Sequence, residues 1–174
     1  MQVWDAGAAI AGFCTFREQL DEPGVTYVGV LNVVPAYQKL GLGRRFLTYF
    51  VGRSLERGAK RLDLHTWPGN LKAVPLYKKC GFFWMPGTGV HMFNFLPSIL
   101  AMPAAKPFFD RHDWYASMRR ELSQSEDDER WQGMKVFTYR FEAGGEQLTV
   151  RVDQQARAIT AIETDAFGAA AIAT

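Results

Sequence analysis

Residues 38 to 45 read Gln38-Lys39-Leu40-Gly41-Leu42-Gly43-Arg44-Arg45. Two closely spaced glycines let the backbone turn tightly, and two arginines follow where a helix opens. Unbonded amides at a helix N-terminus, with cations beside them, can hold a phosphate-bearing ligand. Two better-known glycine loops do not fit. A Walker loop closes on Gly-Lys-Ser/Thr, because the lysine neutralises phosphate and the hydroxyl holds magnesium, but Gly43 is followed by Arg44 and Arg45. A dinucleotide fingerprint needs a third glycine where Phe46 stands. What survives is Gln-x-x-Gly-x-Gly.

Such a loop works only if its neighbours hold it. Residues 27–34 are almost all apolar or β-branched, bounded by Glu22-Pro23-Gly24 and Pro35, which predicts a buried strand. After the loop, Phe46, Leu47, Phe50, Val51 and Leu55 recur at helical spacing, and Gly58 supplies a stop. A second strand-to-helix unit follows. Residues 62–67 read as a strand, with Asn70 as a helix N-cap and Gly81 as the stop. Pro75 lacks a donor and clashes with a preceding helical turn, so this second helix starts late or kinks.

Together the two units resemble the acetyl-CoA-dependent GNAT acyltransferase superfamily. Gln38, Gly41 and Gly43 match its Gln/Arg-x-x-Gly-x-Gly/Ala loop, and Asn70, Ala73, Leu76, Tyr77, Gly81 and Phe82 match its Asn-x-x-Ala-x-x-Leu-Tyr-x-x-x-Gly-Phe segment. The matched core runs over residues 27–83, and strand-like flanks extend it to 1–97. The resemblance implies an α+β fold, a mixed and mostly antiparallel sheet with flanking helices. It also implies that the strand before the loop splays from its neighbour at a bulge, with pantetheine in the gap pairing with Leu31, Asn32, Val33 and Val34. The amides of Gln38, Lys39, Leu40, Gly41, Leu42, Gly43 and Arg44 would cradle the pyrophosphate, with Arg45 adding charge. An amide near Val33 would polarise the thioester carbonyl, and Tyr77 would protonate the leaving thiolate. Asn70 would touch the pantetheine arm, although an N-cap role explains it equally.

The implied function is transfer of the acetyl group of acetyl-CoA to a primary amine by direct attack. The alternative is a catalytically idle GNAT-like module that binds acyl-CoA or a partner. No motif marks a general base: residues 27–34 hold no carboxylate, which leaves His65, Glu18, Asp21 and Glu22, or water. Cys14 and Cys80 have no histidine arrangement around them and read as structural thiols. Three histidines form no metal-ligand cluster, so no metal is expected.

Charge points the same way. Residues 38–82 carry ten Lys/Arg against two Asp/Glu, in a chain whose net charge is only +2, so the basic charge gathers around the loop. Residues 120–174 carry ten acidic against six basic residues, which disfavours a nucleic-acid surface. Lys78, Lys79, Arg53 and Arg57 read as a solvated helix face. No stretch approaches the length of a membrane span, and two distant cysteines make no disulfide framework, so no membrane partner and a reducing cytoplasm are expected.

The remainder divides the chain at 97 and 125. Residues 1–97 read as the acetyl-CoA-binding domain, but Met1 leads almost at once into a hairpin over 3–17. The strand and two helices that open the family's domain have no counterpart, which implies a fragment, or a missing part supplied by another segment or a second copy. Residues 82–97 suggest two more strands, and 98–125 a Pro-rich connector with a short helix aligning Trp114, Met118 and Leu122. Residues 126–174 hold an acidic solvated loop at 126–129, a β-meander over 136–141, 147–152 and 158–164, and a frayed tail from 166. Three strands seldom form a core alone, so the meander must pack on the first domain, on a second copy, or within a larger β domain. Burial of Phe137, Tyr139 and Phe141 would mark such packing.

Overall fold

The structure is a computed structural model that describes residues 2–5, 9–120, 129–165 and 170–172. β1 (Gln2–Asp5) and β2 (Ile10–Glu18) form an antiparallel hairpin, and β2 pairs antiparallel with β3 (Val25–Val33). The glycine loop and α1 (Leu42–Glu56) then carry the chain across to β4 (Arg61–His65), parallel to β3. α2 (Val74–Lys79), β5 (Phe83–Trp84) and β6 (His91–Asn94) complete a sheet of order β1-β2-β3-β4-β6-β5, in which only the β3–β4 contact is parallel.

The pleat sends alternate residues to opposite faces, and each face has its own cover. Thr26, opposite Leu62, shares a 2.7 Å hydrogen bond with Ser54 of α1, so Leu62 and Leu64 face α1. There they join Phe46, Leu47, Phe50 and Val51, all buried, in one core. The other face carries Arg61, Asp63, Phe83 and Phe93, which register aligns across β4, β6 and β5. Arg61 donates to Asp63 at 2.6 and 2.8 Å and to Glu22 at 2.8 Å, and its guanidinium lies 3.8 Å from the Phe93 ring centroid. A buried arginine satisfied in this way avoids the cost of an unpaired charge.

That second face is covered by the rest of the chain. α3 (Leu96–Ala101), α4 (Lys106–Phe109) and α5 (Trp114–Ser117) lead into β7 (Met118–Arg119). β8 (Arg130–Trp131), β9 (Met134–Ala143), β10 (Glu146–Asp153), β11 (Ala158–Asp165) and β12 (Ala170–Ile172) follow. They form a second sheet of order β12-β11-β10-β9-β7, with β8 paired to β9. The meander packs on the first sheet. Phe137 and Tyr139 lie 5.0 and 4.9 Å from Phe83, ring to ring, and Phe137, Tyr139 and Phe141 are at most 2% exposed. Each such burial contributes about 1.5–3 kcal/mol. The Tyr139 hydroxyl donates to Gly81 O and accepts from Phe95 N–H, both at 2.8 Å. Arg120 donates to Lys78 O at 2.8 Å and to Phe82 O, closing the C-terminal end of α2.

Four expectations need correction. The helix aligning Trp114 with Met118 stops at Ser117, because Met118 pairs with Phe141 as the start of β7; Leu122 lies outside the described residues. Asn70 is not the N-cap of α2, which is Ala73. Pro75 must occupy the first turn, where its missing N–H costs nothing, so the helix starts late. Asn70 instead holds the turn before it, its Oδ1 accepting from Ala73 N–H at 3.3 Å. The boundary at 97 falls inside α3, whose Leu96 and Ile99 are buried in the core shared with α1. Of the tail, residues 170–172 pair with β11 as β12. The acidic loop at 126–128 lies outside the described residues.

Candidate active site

β3 breaks away from the sheet halfway along its length. Between the pairs Cys14↔Leu31 and Val28↔Phe16, β2 has one residue, Thr15, and β3 has two, Gly29 and Val30. The extra residue makes a β-bulge, which bends β3 away from β4, and their pairing ends at Val28↔Leu64. Thr15 supports the bulge, its Oγ1 accepting from Val30 N–H at 2.8 Å. Position 29 must be glycine, since a Cβ there would lie 2.2 Å from that oxygen.

The bulge decides which peptide groups are available to a ligand. Val34 N–H donates to Ala11 O at 2.9 Å, so the groups of Asn32 and Val34 turn toward β2, and those of Leu31 and Val33 turn toward the gap. Gln38 takes one of these, its side-chain amide donating to Val33 O at 3.0 Å. This bond folds the glycine loop back over β3. Leu31 N–H and C=O and Val33 N–H remain directed into the gap.

The loop then delivers an open helix end to the same place. Gly41 is the N-cap of α1 at φ 81°, a conformation that costs a side chain energy, and no side chain caps this helix. The first helical bond runs from Arg45 N–H to Gly41 O, so the amides of Leu42, Gly43 and Arg44 have no partner within the helix. The first turn contains no acidic residue. Gly43 serves packing, because a Cβ there would lie 2.8 Å from Leu76 of α2.

These features open into one cleft of about 1190 Å³, somewhat larger than the usual small-molecule site. Leu31, Asn32, Val33, all of 38–44, Asn70 and Tyr77 line it, so the structure brings together twelve of the thirteen expected residues. Val34 lies outside the lining, consistent with its N–H being bonded to β2. Lys39, Arg44, Lys72 and Lys79 line it and no carboxylate does, among the described residues. The solvated-face reading is therefore revised for Lys79, which is exposed yet borders the cleft, and stands for Arg53 and Arg57, which pair with Glu56 and Glu18. Arg45 is exposed outside the lining.

Tyr77 is 9% exposed, and its hydroxyl has no hydrogen-bond partner among the described residues. Burial, with a smaller contribution from Cys14, pushes its pKa up, so the hydroxyl stays protonated at neutral pH. Burial also pushes the Cys14 and Cys80 thiols up to about 12, which leaves both inert and fits a structural role. The base candidates all stand elsewhere. Glu18 pairs with Arg57, Glu22 with Arg61, Asp21 is exposed, and His65 shares a 2.8 Å hydrogen bond with the Tyr27 hydroxyl; none lines the cleft. Burial and the neighbouring His91 push His65 below its usual pKa. Among the described residues no group of His, Cys, Asp and Glu could hold a metal ion, and no helix is long and apolar enough to cross a membrane.

Sequence reasoning missed Tyr37, Lys72, Leu76 and Tyr115 as lining residues. Lys72 and Leu76 sit within the recognised segment and could have been read from it. Tyr115 belongs to α5, and no motif points to it.

Residues 2–82, a little under half of the chain, match the acetyltransferase (GNAT) family. An IAA acetyltransferase from Bacillus cereus is 19% identical over 53% of this chain and 74% of its own, with a TM-score of 0.46. The ribosomal-protein-S18-alanine N-acetyltransferase of Escherichia coli is 24% identical over 52% of this chain and 64% of its own, with a TM-score of 0.43. The PaiA N-acetyltransferase of Thermoplasma acidophilum, solved with coenzyme A, is 17% identical over 52% and 57%, with a TM-score of 0.46. Residues 2–82 of this chain are thus similar to the acetyltransferase (GNAT) family.

Proposed function

We propose that this chain is an N-acetyltransferase that binds acetyl-CoA in the cleft and passes its acetyl group directly to a primary amine. The observation that carries this reading is a convergence. One cleft receives the free peptide groups of a splayed strand, the uncapped N-terminus of a 15-residue helix and the largely buried Tyr77. Pantetheine would pair with Leu31 and Val33 as an added strand, and the pyrophosphate would sit against the amides of 42–44 with Arg44 and Lys39 beside it.

In the reaction the amine nitrogen bonds to the thioester carbonyl carbon, the C–S bond breaks, and the amine loses a proton. Val33 N–H would stabilise the oxyanion, and the Tyr77 hydroxyl would donate its proton toward sulfur as the bond cleaves. A phenol ordinarily titrates near 10 and a thiol near 8.5, so Tyr77 acts while the charge develops and regains its proton from the product side.

The test follows release of the coenzyme A thiol with a panel of primary amines. Tyr77→Phe should lower turnover by about 10²–10⁴-fold with acetyl-CoA affinity preserved. Because burial raises the Tyr77 pKa, the native rate should fall only above the pH range in which an ordinary phenol ionises, a limb that Tyr77→Phe lacks. Unchanged turnover in Tyr77→Phe would remove the acid role. A second reading, acyl-CoA binding without transfer, is favoured by the absence of any carboxylate or histidine from the described lining. Tight acetyl-CoA binding with no turnover across the panel would support it instead.

A further inference from the structure

Building on the acyl-donor reading, we propose that Tyr115, which lies outside the segment shared with the family, forms the wall against which the adenosine end of coenzyme A packs. The matched segment ends at residue 82, yet Tyr115 of α5 lines the cleft. The Arg44 guanidinium lies 5.2 Å from its ring centroid, which places the ring beside the N-terminus of α1. That position fixes which part of the donor it meets. Pantetheine and adenosine leave the pyrophosphate in opposite directions, so a donor whose acyl arm runs along Leu31 and Val33 sends its nucleotide to the far side of the phosphate cradle. Beyond Lys39 and Arg44, the described lining offers further cations in Lys72 and Lys79, suited to the 3′-phosphate, and an aromatic face in Tyr115, suited to a purine.

The helix that bears the ring is tied down by bonds of its own. Asp113 caps α5, its Oδ1 accepting from Ala116 N–H at 2.8 Å, and the buried Ser117 donates its hydroxyl proton to Asp113 O at 2.8 Å. Three residues on, Arg120 is bonded to Lys78 O and Phe82 O and lies 3.5 Å from the Phe83 ring centroid, which ties this segment to α2. A wall ordered in advance costs the ligand little entropy on binding. The C-terminal half of the chain thus supplies a donor contact as well as a scaffold.

The experiment compares two donors by calorimetry: acetyl-CoA, and S-acetyl-4′-phosphopantetheine, which keeps the acyl arm and one phosphate but lacks the adenosine end. Tyr115→Ala and Tyr115→Leu should weaken acetyl-CoA binding by about fivefold or more and leave the shorter donor unchanged, whereas Tyr115→Phe should match the native chain. The Leu and Phe variants retain bulk, so they carry the test if the Ala variant does not fold. Equal weakening of both donors would overturn the proposal by making Tyr115 a general support of the cleft, and so would unchanged acetyl-CoA binding in the Ala and Leu variants. Failure of the native chain to bind acetyl-CoA would overturn the donor reading as well, so the two failures are distinguishable.

Discussion

β3 pairs with β4 over four residues and with β2 around a bulge, whereas β9 pairs with β10 over eight consecutive residues without a shift. The difference separates a strand whose peptide groups are open to a ligand from a strand pair whose facing groups are taken up by each other. Along β9 and β10 the ladder uses the peptide groups that face the partner strand, and what remains to contribute is apolar surface, in Phe137, Tyr139, Phe141, Leu148, Val150 and Val152, all buried. Along β3 the ladder fails after Val28, and the peptide groups released there line the cleft. The site is made by a defect in the first sheet, and the second sheet covers the opposite face and holds the helix that bears Tyr77.

The largest effect should come from the supporting sheet. Phe137→Ala removes a ring packed between Phe83 and Phe95 and should cost about 3–5 kcal/mol, with urea unfolding still a single transition because both sheets share one core. Two separated transitions would show that the sheets stand independently and would break the comparison. A smaller effect on stability, with a larger one on binding, is expected at the bulge. Gly29→Val sets a Cβ against Thr15 Oγ1 and should cost about 1–3 kcal/mol while weakening acetyl-CoA binding, since β3 must shift. Normal acetyl-CoA affinity in that variant would mean that the splay does not depend on the bulge. The smallest effect belongs to Thr15→Val, which leaves Val30 N–H without its acceptor and should cost about 1 kcal/mol by thermal or urea unfolding, with the cleft otherwise retained.

The sequence revealed the parts of the site that are local. The glycine loop, the apolar strand before it and the helix after it are each readable from neighbouring residues, because turn chemistry and periodicity act over a few positions. Phe137, Tyr139 and Phe141 were likewise legible as a buried stripe. What stayed hidden depends on partners distant in the chain. The resemblance implies a bulge in this strand, but its place at Gly29 and Val30 is set only by register with Thr15, and the tie from Gln38 to Val33 O depends on how the loop folds back. The Met118 misreading has the same origin: its spacing from Trp114 fits a helix, but pairing with Phe141 in β9 outweighs local propensity in so short a segment. Tyr115 reaches the cleft only because the second sheet brings α5 beside α1, and no local pattern records that.

The measurement that tests the central claim most directly is calorimetric titration of acetyl-CoA into the native chain and into Gly41→Glu. Gly41 is the better position to alter, because a side chain at Gly43 would also strike Leu76, whereas at Gly41 the nearest atom to a new Cβ is Arg44 Nη2 at 4.0 Å. A carboxylate at the helix N-terminus opposes the phosphates, and the left-handed backbone adds strain. Saturable binding to the native chain, weakened at least about tenfold in a folded Gly41→Glu variant, is the predicted result. No binding to the native chain, or equal binding to both, would contradict the placement of the donor in this cleft.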